Sequence, residues 1–271
     1  MPEDPVAYQR ELAVAVEAAQ AAGRLLMKHF GQPVRTTQKG VIDLVTEMDT
    51  ASERLIFEAV QAAFPDDGLL SEEAPPEQLE RPRRWIIDPL DGTTNYAHAI
   101  PIFAVSIALE VDGALVVGVI EDPVHGETFT ATSGGGAFLN GEAIRVSKVT
   151  ELAEAFLATG FPYDIHTASV TNLDHFEHFA RRALAIRRPG AAAIDLAHMA
   201  SGRYDGFWEL KLKPWDVAAG ALLVEEAGGR VSTFNGEPLD IYRSEILASN
   251  DLLHEAMMEV LSLGRRPKDE G

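Results

Sequence analysis

Trp85-Ile-Ile-Asp88-Pro-Leu-Asp91-Gly-Thr-Thr-Asn95 is the stretch from which the rest of the chain is read. Its apolar opening, Trp85 to Ile87, passes straight into polar and glycine-containing sequence, as a buried strand does when it delivers a site at its end. Pro89 fixes the chain between Asp88 and Leu90, so two carboxylates three residues apart can aim at one place with the Leu90 carbonyl presented beside them. Gly92 lets the backbone come close to a ligand, and Thr93, Thr94 and Asn95 bring short polar groups to a point where a helix can begin. Exposed N–H groups at such a start would cradle a phosphate. A turn needs one aspartate and one glycine; two acids, two threonines and an asparagine in one turn point to chemistry. Calcium of the EF-hand kind fails on spacing, because acids at alternating positions and a closing glutamate are missing.

Outward from this stretch the chain reads as α+β. On the N-terminal side, Leu12, Val16, Ala19, Leu26 and Phe30 fall at helical spacing over about Val6 to Phe30, before Gly31 and Pro33. A second helix starts near Thr46 and ends before Pro65. On the C-terminal side, two β-rich runs between Phe103 and Glu121 flank Asp112-Gly113, a strong hairpin signal, and a second hairpin region spans Glu127 to Val146. Ser133-Gly134-Gly135-Gly136 fits the turn inside it, since no nucleotide-loop spacing is present. Beyond Glu151 shorter strands and helices alternate: a strand near Phe156, helices over Leu173 to Leu184 and Ala192 to Ser201, and a strand from Tyr204 to Leu210. A helix over Val217 to Ala227, strands over Arg230 to Phe234 and Glu245 to Ala248, and a last helix over Leu252 to Leu263 complete the pattern. The change near residue 150 predicts two closely fused halves, 1–150 and 151–271, with no linker or repeat between them.

Three more pieces put carboxylates beside a turn or helix start: Thr46/Asp49, Glu72-Glu73 and Trp215-Asp216. Each has an ordinary reading of its own. Thr46 and Asp49 resemble a capping box, Glu72-Glu73 a solvated acidic loop, and Asp216 an acid in the first turn of a helix. If Glu72, Asp88, Asp91 and Asp216 converge, repulsion is on the order of 4 kcal/mol per pair at about 4 Å and an effective dielectric near 20. A cation must then sit among them. Oxygen ligands without histidine or cysteine suit Mg²⁺ or Mn²⁺ better than Zn²⁺, and Mg²⁺ completes its shell with waters and phosphate oxygens. Thr93 is placed to orient a water for in-line attack on phosphorus, with Asp49 as its partner in removing the proton.

The 271 residues are 46% apolar, enough for a large core, and contain no cysteine, which excludes disulfides, thiolate metal sites and a cysteine nucleophile. Forty-two acids against 23 bases give a net charge of −19, which argues against broad nucleic-acid or anionic-membrane binding. No run of 18 uncharged apolar residues occurs, and Met1 to Arg10 lacks a basic stretch followed by an apolar one. A soluble cytoplasmic protein is expected. The eight histidines form no zinc-protease pattern, and His175 and His178 are expected on a helix surface.

With these residues in view, the chain resembles the inositol monophosphatase family. Asp88 to Asn95 is similar to its first signature, and Trp215-Asp-Val-Ala-Ala-Gly-Ala-Leu-Leu-Val-Glu-Glu-Ala-Gly-Gly229 to its second. Asp43-Leu-Val-Thr46 with Asp49, and Ser71-Glu-Glu73, fall where the family has its water-activating aspartate and first metal-binding glutamate. The resemblance implies a layered αβαβα sugar-phosphatase fold that usually dimerises. It implies one Mg²⁺ on Glu72, Asp88 and the Leu90 carbonyl, a second on Asp88, Asp91 and Asp216, and a third, weaker ion near Glu72. Asp49 and Thr93, with Glu72, would activate the water, and the Gly92 and Thr93 amides would hold phosphate. Gly190, Ala191 and Ala192 would line the pocket for the alcohol, where Glu209 would bind sugar hydroxyls. Sensitivity to lithium follows as well.

Departures from the family pattern fall around the substrate: Lys213 stands where animal members carry histidine, Lys211 occupies a position often held by glycine, and the spacing from Lys39 to Asp49 is slightly short. Two lysines at the pocket favour a substrate with a second phosphate or form a solvated pair; the second reading is preferred. The expected partner is a small phosphorylated polyol or sugar, inositol 1-phosphate first. Fructose 1,6-bisphosphate, histidinol phosphate, NADP and adenosine bisphosphate are alternatives that the same metal core could serve. An alternative of another class is a non-catalytic partner in RNA polymerase or ribosome maturation complexes.

Overall fold

The computed structural model describes residues 8–33, 36–38, 44–75 and 80–264. Val6, Lys39 and Asp43, and most of the Met1 to Arg10 segment, lie outside them. In chain order the elements are α1 (Gln9–His29), β1 (Thr36–Gln38), β2 (Leu44–Thr46), α2 (Glu47–Ala63), β3 (Gly68–Ser71), β4 (Arg83–Asp91), α3 (Thr93–Ala97), β5 (Ala104–Val111) and β6 (Ala114–Asp122). Then follow β7 (Glu127–Thr132), β8 (Gly136–Leu139), β9 (Glu142–Ala143), a 3₁₀ turn over Leu152–Glu154, β10 (Phe156–Thr159), α4 (Leu173–Ala180), β11 (Ala185–Arg187) and α5 (Ala192–Ala200). The chain continues through β12 (Gly206–Leu210), α6 (Pro214–Glu226), β13 (Arg230–Ser232), β14 (Glu245–Ser249) and α7 (His254–Leu263).

Side-chain alternation along the strands builds the layers. In β4, Trp85 and Ile87 face Ala15, Ala19, Leu26 and Ile56 of α1 and α2, whereas Ile86 faces the cluster that holds Leu196, Leu222 and Leu223 of α5 and α6. The same two helices cover Phe207 and Ala248 of the second sheet, whose opposite face turns Trp208 and Leu247 toward Phe179 of α4 and Met257 and Leu261 of α7. The result is helices, sheet, helices, sheet, helices, an αβαβα stack. The larger sheet has the order β3-β4-β5-β6-β7-β8-β9 and is antiparallel except for the parallel β3/β4 pair. The smaller has the order β11-β10-β12-β14-β13, with β10 parallel to both its neighbours. A separate antiparallel pair joins β1 to β2.

The Asp112-Gly113 signal closes the β5/β6 hairpin with φ of 51° and 84°, both in the left-handed region that a tight primed turn requires. Where α6 crosses the larger sheet, Gly118 of β6 removes the Cβ that would stand 2.8 Å from the Ala219 carbonyl oxygen, so helix and strand backbones nearly touch. Several boundaries differ from the sequence expectation. The helix expected to reach Leu184 stops at Ala180, and the chain returns as β11, a strand the apolar pattern did not separate from the helix. α6 begins at Pro214, the first-turn position proline favours, rather than at Val217. His175 is buried, edge-on to the Phe234 ring at 5.4 Å, and not on the helix surface.

Candidate active site

β4 delivers the central acids through an irregularity. Asp88 pairs with Ser106 and Asp91 with Ala104, so three residues on β4 are matched by two on β5. In a regular strand, residues three apart face opposite sides; the extra residue of the bulge turns Asp88 and Asp91 into one cavity. Pro89, which has no N–H to give the ladder, sits in the bulge, where that loss is tolerated. Its carbonyl accepts from Ser52 Oγ of α2 at 2.7 Å, which ties bulge to helix.

Asp49 and Asp216 are both third residues of helices, α2 and α6, and each has an oxygen committed to its own helix start: Asp49 Oδ2 accepts from Thr46 N at 2.8 Å, Asp216 Oδ2 from Lys213 N at 2.7 Å. Capping and site geometry coexist at Asp49, because its Oδ1 accepts from Thr93 Oγ1 at 2.9 Å. Thr93 Oγ1 also lies 3.0 Å from the Leu90 carbonyl oxygen. Asp91 reaches across the layers: its Oδ2 accepts from Ala193 N at 2.8 Å, in the first turn of α5. Gly92 admits no side chain, since a Cβ there would stand 2.8 Å from the Ile102 carbonyl oxygen. Asn95 has a use its sequence position did not reveal. Its Nδ2 donates to the carbonyls of Ile102 and Pro189, both at 2.9 Å, and so tethers the loop that carries Gly190.

Asp88, Asp91, Gly92, Thr93 and Asp216 line one cavity of about 250 Å³, together with Glu72, Leu90, Gly190, Ala191, Ala192, Glu209 and Lys213. Every residue singled out for metal or substrate therefore borders it, apart from Asp49, which touches its wall through Thr93. Burial first, then the charges of Glu72, Asp91 and Asp216, push the Asp88 carboxyl well above the usual range. Burial also raises Asp91, to about 7, against the backbone N–H groups of α5 that favour its ionised form. Burial raises Asp49 too. Four carboxylates and a carbonyl that border one cavity, with three of the carboxylates raising the fourth and only oxygen donors present, fit Mg²⁺: Glu72, Asp88, Asp91, Asp216 and the Leu90 carbonyl are the groups that would hold it. A second group of acids with a histidine, Asp122, Glu127 and His198, is already compensated by side chains, since Arg203 bonds both oxygens of Glu127 at 2.6 Å and His125 Nδ1 lies 2.7 Å from Asp122.

Glu209, which also lines the cavity, is buried within β12, an interior strand, and not on an exposed edge. Burial, then the charge of Asp216, raises it to about 8, with Arg188 opposing. Gly160 makes the space: a Cβ there would overlap the Glu209 carboxylate. Lys211 forms an ion pair with Asp164 at 2.6 Å, a partner the sequence reading of the two lysines did not include. Gly160, Arg188 and Asp195 line the cavity without having been singled out by sequence. For Asp195 a signal existed, a lone acid in the apolar run Ala191-Ala-Ala-Ile-Asp-Leu-Ala197.

A model of the inositol monophosphatase family matches residues 7–263. The chain is 42% identical to the Nus factor SuhB of Escherichia coli K12 over 250 residues, 91% of this chain and 94% of that one. It is 40% identical over 260 residues to the inositol-1-monophosphatase of Synechocystis, 95% of this chain and 91% of that one. The solved inositol monophosphatase of Anabaena superposes with a TM-score of 0.87 at 42% identity, covering 94% of this chain and 96% of that one.

Proposed function

The chain belongs to the inositol monophosphatase family and is a phosphoric monoester hydrolase, and from that premise we propose that it hydrolyses inositol 1-phosphate or a closely related sugar phosphate. The observation that carries the reading is the meeting, in one cavity, of an acidic cluster suited to Mg²⁺, Thr93 bonded to Asp49 behind it, and a buried Glu209. Bound there, Mg²⁺ would neutralise the phosphate oxygens and sharpen the acidity of the attacking water.

The chain's own residues do the rest. Thr93 Oγ1, which gives its proton to Asp49 Oδ1, is left to accept from the water and so aims the water's oxygen at phosphorus. A proton taken from the water passes to Thr93 as Thr93 passes its own to Asp49, whose burial makes it a better acceptor than an exposed aspartate. The P–O bond to the alcohol breaks as the new one forms, and the departing alkoxide takes a proton from a solvent water, whose hydroxide is neutralised by the proton that Asp49 then gives up. The Gly92 and Thr93 amides hold the phosphate, and Glu209 accepts from hydroxyls of the alcohol. Gly190, Ala191 and Ala192 leave room for its ring, and Lys213 stands at the rim. Inhibition by lithium, a homodimer and a cytoplasmic location belong to the same proposal.

The test is phosphate release from inositol 1-phosphate, fructose 1,6-bisphosphate and histidinol phosphate, with Mg²⁺, with EDTA, and with Mg²⁺ plus lithium. Release that needs Mg²⁺ and prefers one polyol ester supports the reading; folded protein silent on all three with Mg²⁺ and with Mn²⁺ overturns it. The 42% identity to a relative named a Nus factor supports a second reading, a role in a macromolecular assembly. That role would survive Asp91→Asn, whereas hydrolysis would not.

A further inference from the structure

Asp195 lies in the first turn of α5, is 1% exposed, and lines the same cavity as Glu209. Its Oδ1 is shut off from solvent and has no hydrogen-bond partner among the described residues. A buried carboxyl oxygen left without a partner costs stability, so an explanation is needed for why the position holds an acid at all. The helix start does not require it: Ala191 takes the capping position and the helix's neighbours are Ala, Ile and Leu. Nor is a salt bridge its purpose. The nearest charges are mainly like ones, Glu209 and Asp91, with Arg188 the single opposing group. Burial and those two acids push its carboxyl well above the usual range, toward the form that has one O–H to donate and one oxygen to accept.

We infer that Asp195 is a specificity-determining residue, forming beside Glu209 a second seat for a hydroxyl group of a polyhydroxylated phosphate ester. The inference rests on the phosphatase reading above and adds a residue to it. An alcohol hydroxyl donates one hydrogen bond and accepts others, so the two carboxyl groups of Glu209 and Asp195, each raised toward its protonated form and able both to donate and to accept, can hold two hydroxyls of a ring where one carboxyl holds one. Substrates without hydroxyls would leave Asp195 as unpartnered as it is now. An acid held at this buried position on the cavity is then a stability cost kept for recognition.

The experiment compares wild type, Asp195→Leu and Asp195→Asn on inositol 1-phosphate, fructose 1,6-bisphosphate and p-nitrophenyl phosphate, whose leaving group carries no hydroxyl, with Tm recorded for each. Asp195→Leu is expected to lower kcat/KM for the preferred polyol ester about 10- to 100-fold, mostly through KM, as expected for one or two lost hydrogen bonds. On p-nitrophenyl phosphate it should stay within about twofold, with Tm equal or higher because the orphaned oxygen is gone. Asp195→Asn, which keeps a donor and an acceptor, should retain most of the polyol activity. Asp195→Ala, read the same way, covers a failure of leucine to pack. If the wild type prefers a polyol ester and Asp195→Leu keeps that preference, the inference falls and the phosphatase reading stands. If the wild type hydrolyses the polyol esters without preferring either over p-nitrophenyl phosphate, the inference falls and the phosphatase reading stands; if folded wild type is silent on every ester, both fall.

Discussion

The two walls of the cavity are built on opposite terms. On the wall made by β4, α2 and α6, Asp49, Asp88, Asp91, Thr93 and Asp216 each have a hydrogen bond from or to a neighbour, and the chain itself fixes their positions. On the facing wall, Glu209 and Asp195 are buried, crowded by like charge and held by no hydrogen bond from a described residue. The first wall is organised before anything binds; the second waits for a partner. The two groups differ in how they are held but still feel each other, since Asp216 raises Glu209 and Asp91 raises Asp195.

That contrast can be broken most directly at Asp88. Asp88→Asn is expected to lower kcat by about 10³-fold, because several kcal/mol of charge stabilisation depend on the ion that Asp88 would help to hold. Relief of repulsion should raise Tm in EDTA, and the Tm gain on adding Mg²⁺ should shrink. An active Asp88→Asn variant, assayed by phosphate release, would remove the first wall from the proposal.

The pH dependence of stability sharpens the contrast, because groups in different places bend it in opposite senses. His254 lies far along the chain in α7, wholly buried between the hydroxyls of Ser232 and Ser249, and burial pushes it down to about 4. It contributes fully above its unfolded value of 6.5 and that contribution is lost as pH falls through about 4, about 3 kcal/mol at roughly 1.4 kcal/mol per unit. Glu209 is raised to about 8 from 4.5, so its contribution is full below pH 4.5 and is lost as pH rises through about 8. Urea unfolding in EDTA from pH 4 to 9 should show both losses. His254→Gln should flatten only the acid arm and Glu209→Gln only the alkaline one.

Thr93→Val, which keeps the shape and removes the hydroxyl, should lower kcat about 10²-fold with KM little changed, the size expected for losing an acid–base partner. Steady-state kinetics on the preferred substrate decide it. The smallest effect is expected at Thr46→Ala: about 1 kcal/mol of stability from the lost cap of α2, measured by urea unfolding, with kcat within a factor of about three. A larger fall in kcat would mean that the cap and the chemistry at Asp49 are coupled more tightly than two separate oxygens imply.

The first wall was legible in the sequence because its residues break local rules together: two acids around a proline after an apolar strand, and an aspartate at the third position of each of two helices. Asp112-Gly113 was legible for the same reason, since few residues accept its backbone angles. Of the second wall, Glu209 and Gly190 to Ala192 came only through the family resemblance, and Gly160, Arg188 and Asp195 were not singled out. Gly160 matters only because Glu209 lies against it, and Arg188 only because the loop at Gly190 turns inward, and both are facts of tertiary packing. The short strands β3 and β11 carry too few residues to show a period, and β11 hid behind a helix that the apolar spacing prolonged to Leu184. His175 defeated the rule that polar helix residues face water because α4 is covered by α7 and the Phe234 ring on the side it occupies.

Gly118 sets a dimension of the machine. Metal ligands work within about 0.2 Å of their preferred distances, and Asp216 stands one helical turn ahead of Ala219, the residue seated against that glycine. Bare backbone meeting bare backbone leaves no flexible side chain to absorb error, so the seat acts as a hard stop that fixes how far α6 lies from the larger sheet. A single added methyl, more than 10 residues from any proposed ligand in sequence and touching none of them, would enter the site as a misalignment of one jaw against the other.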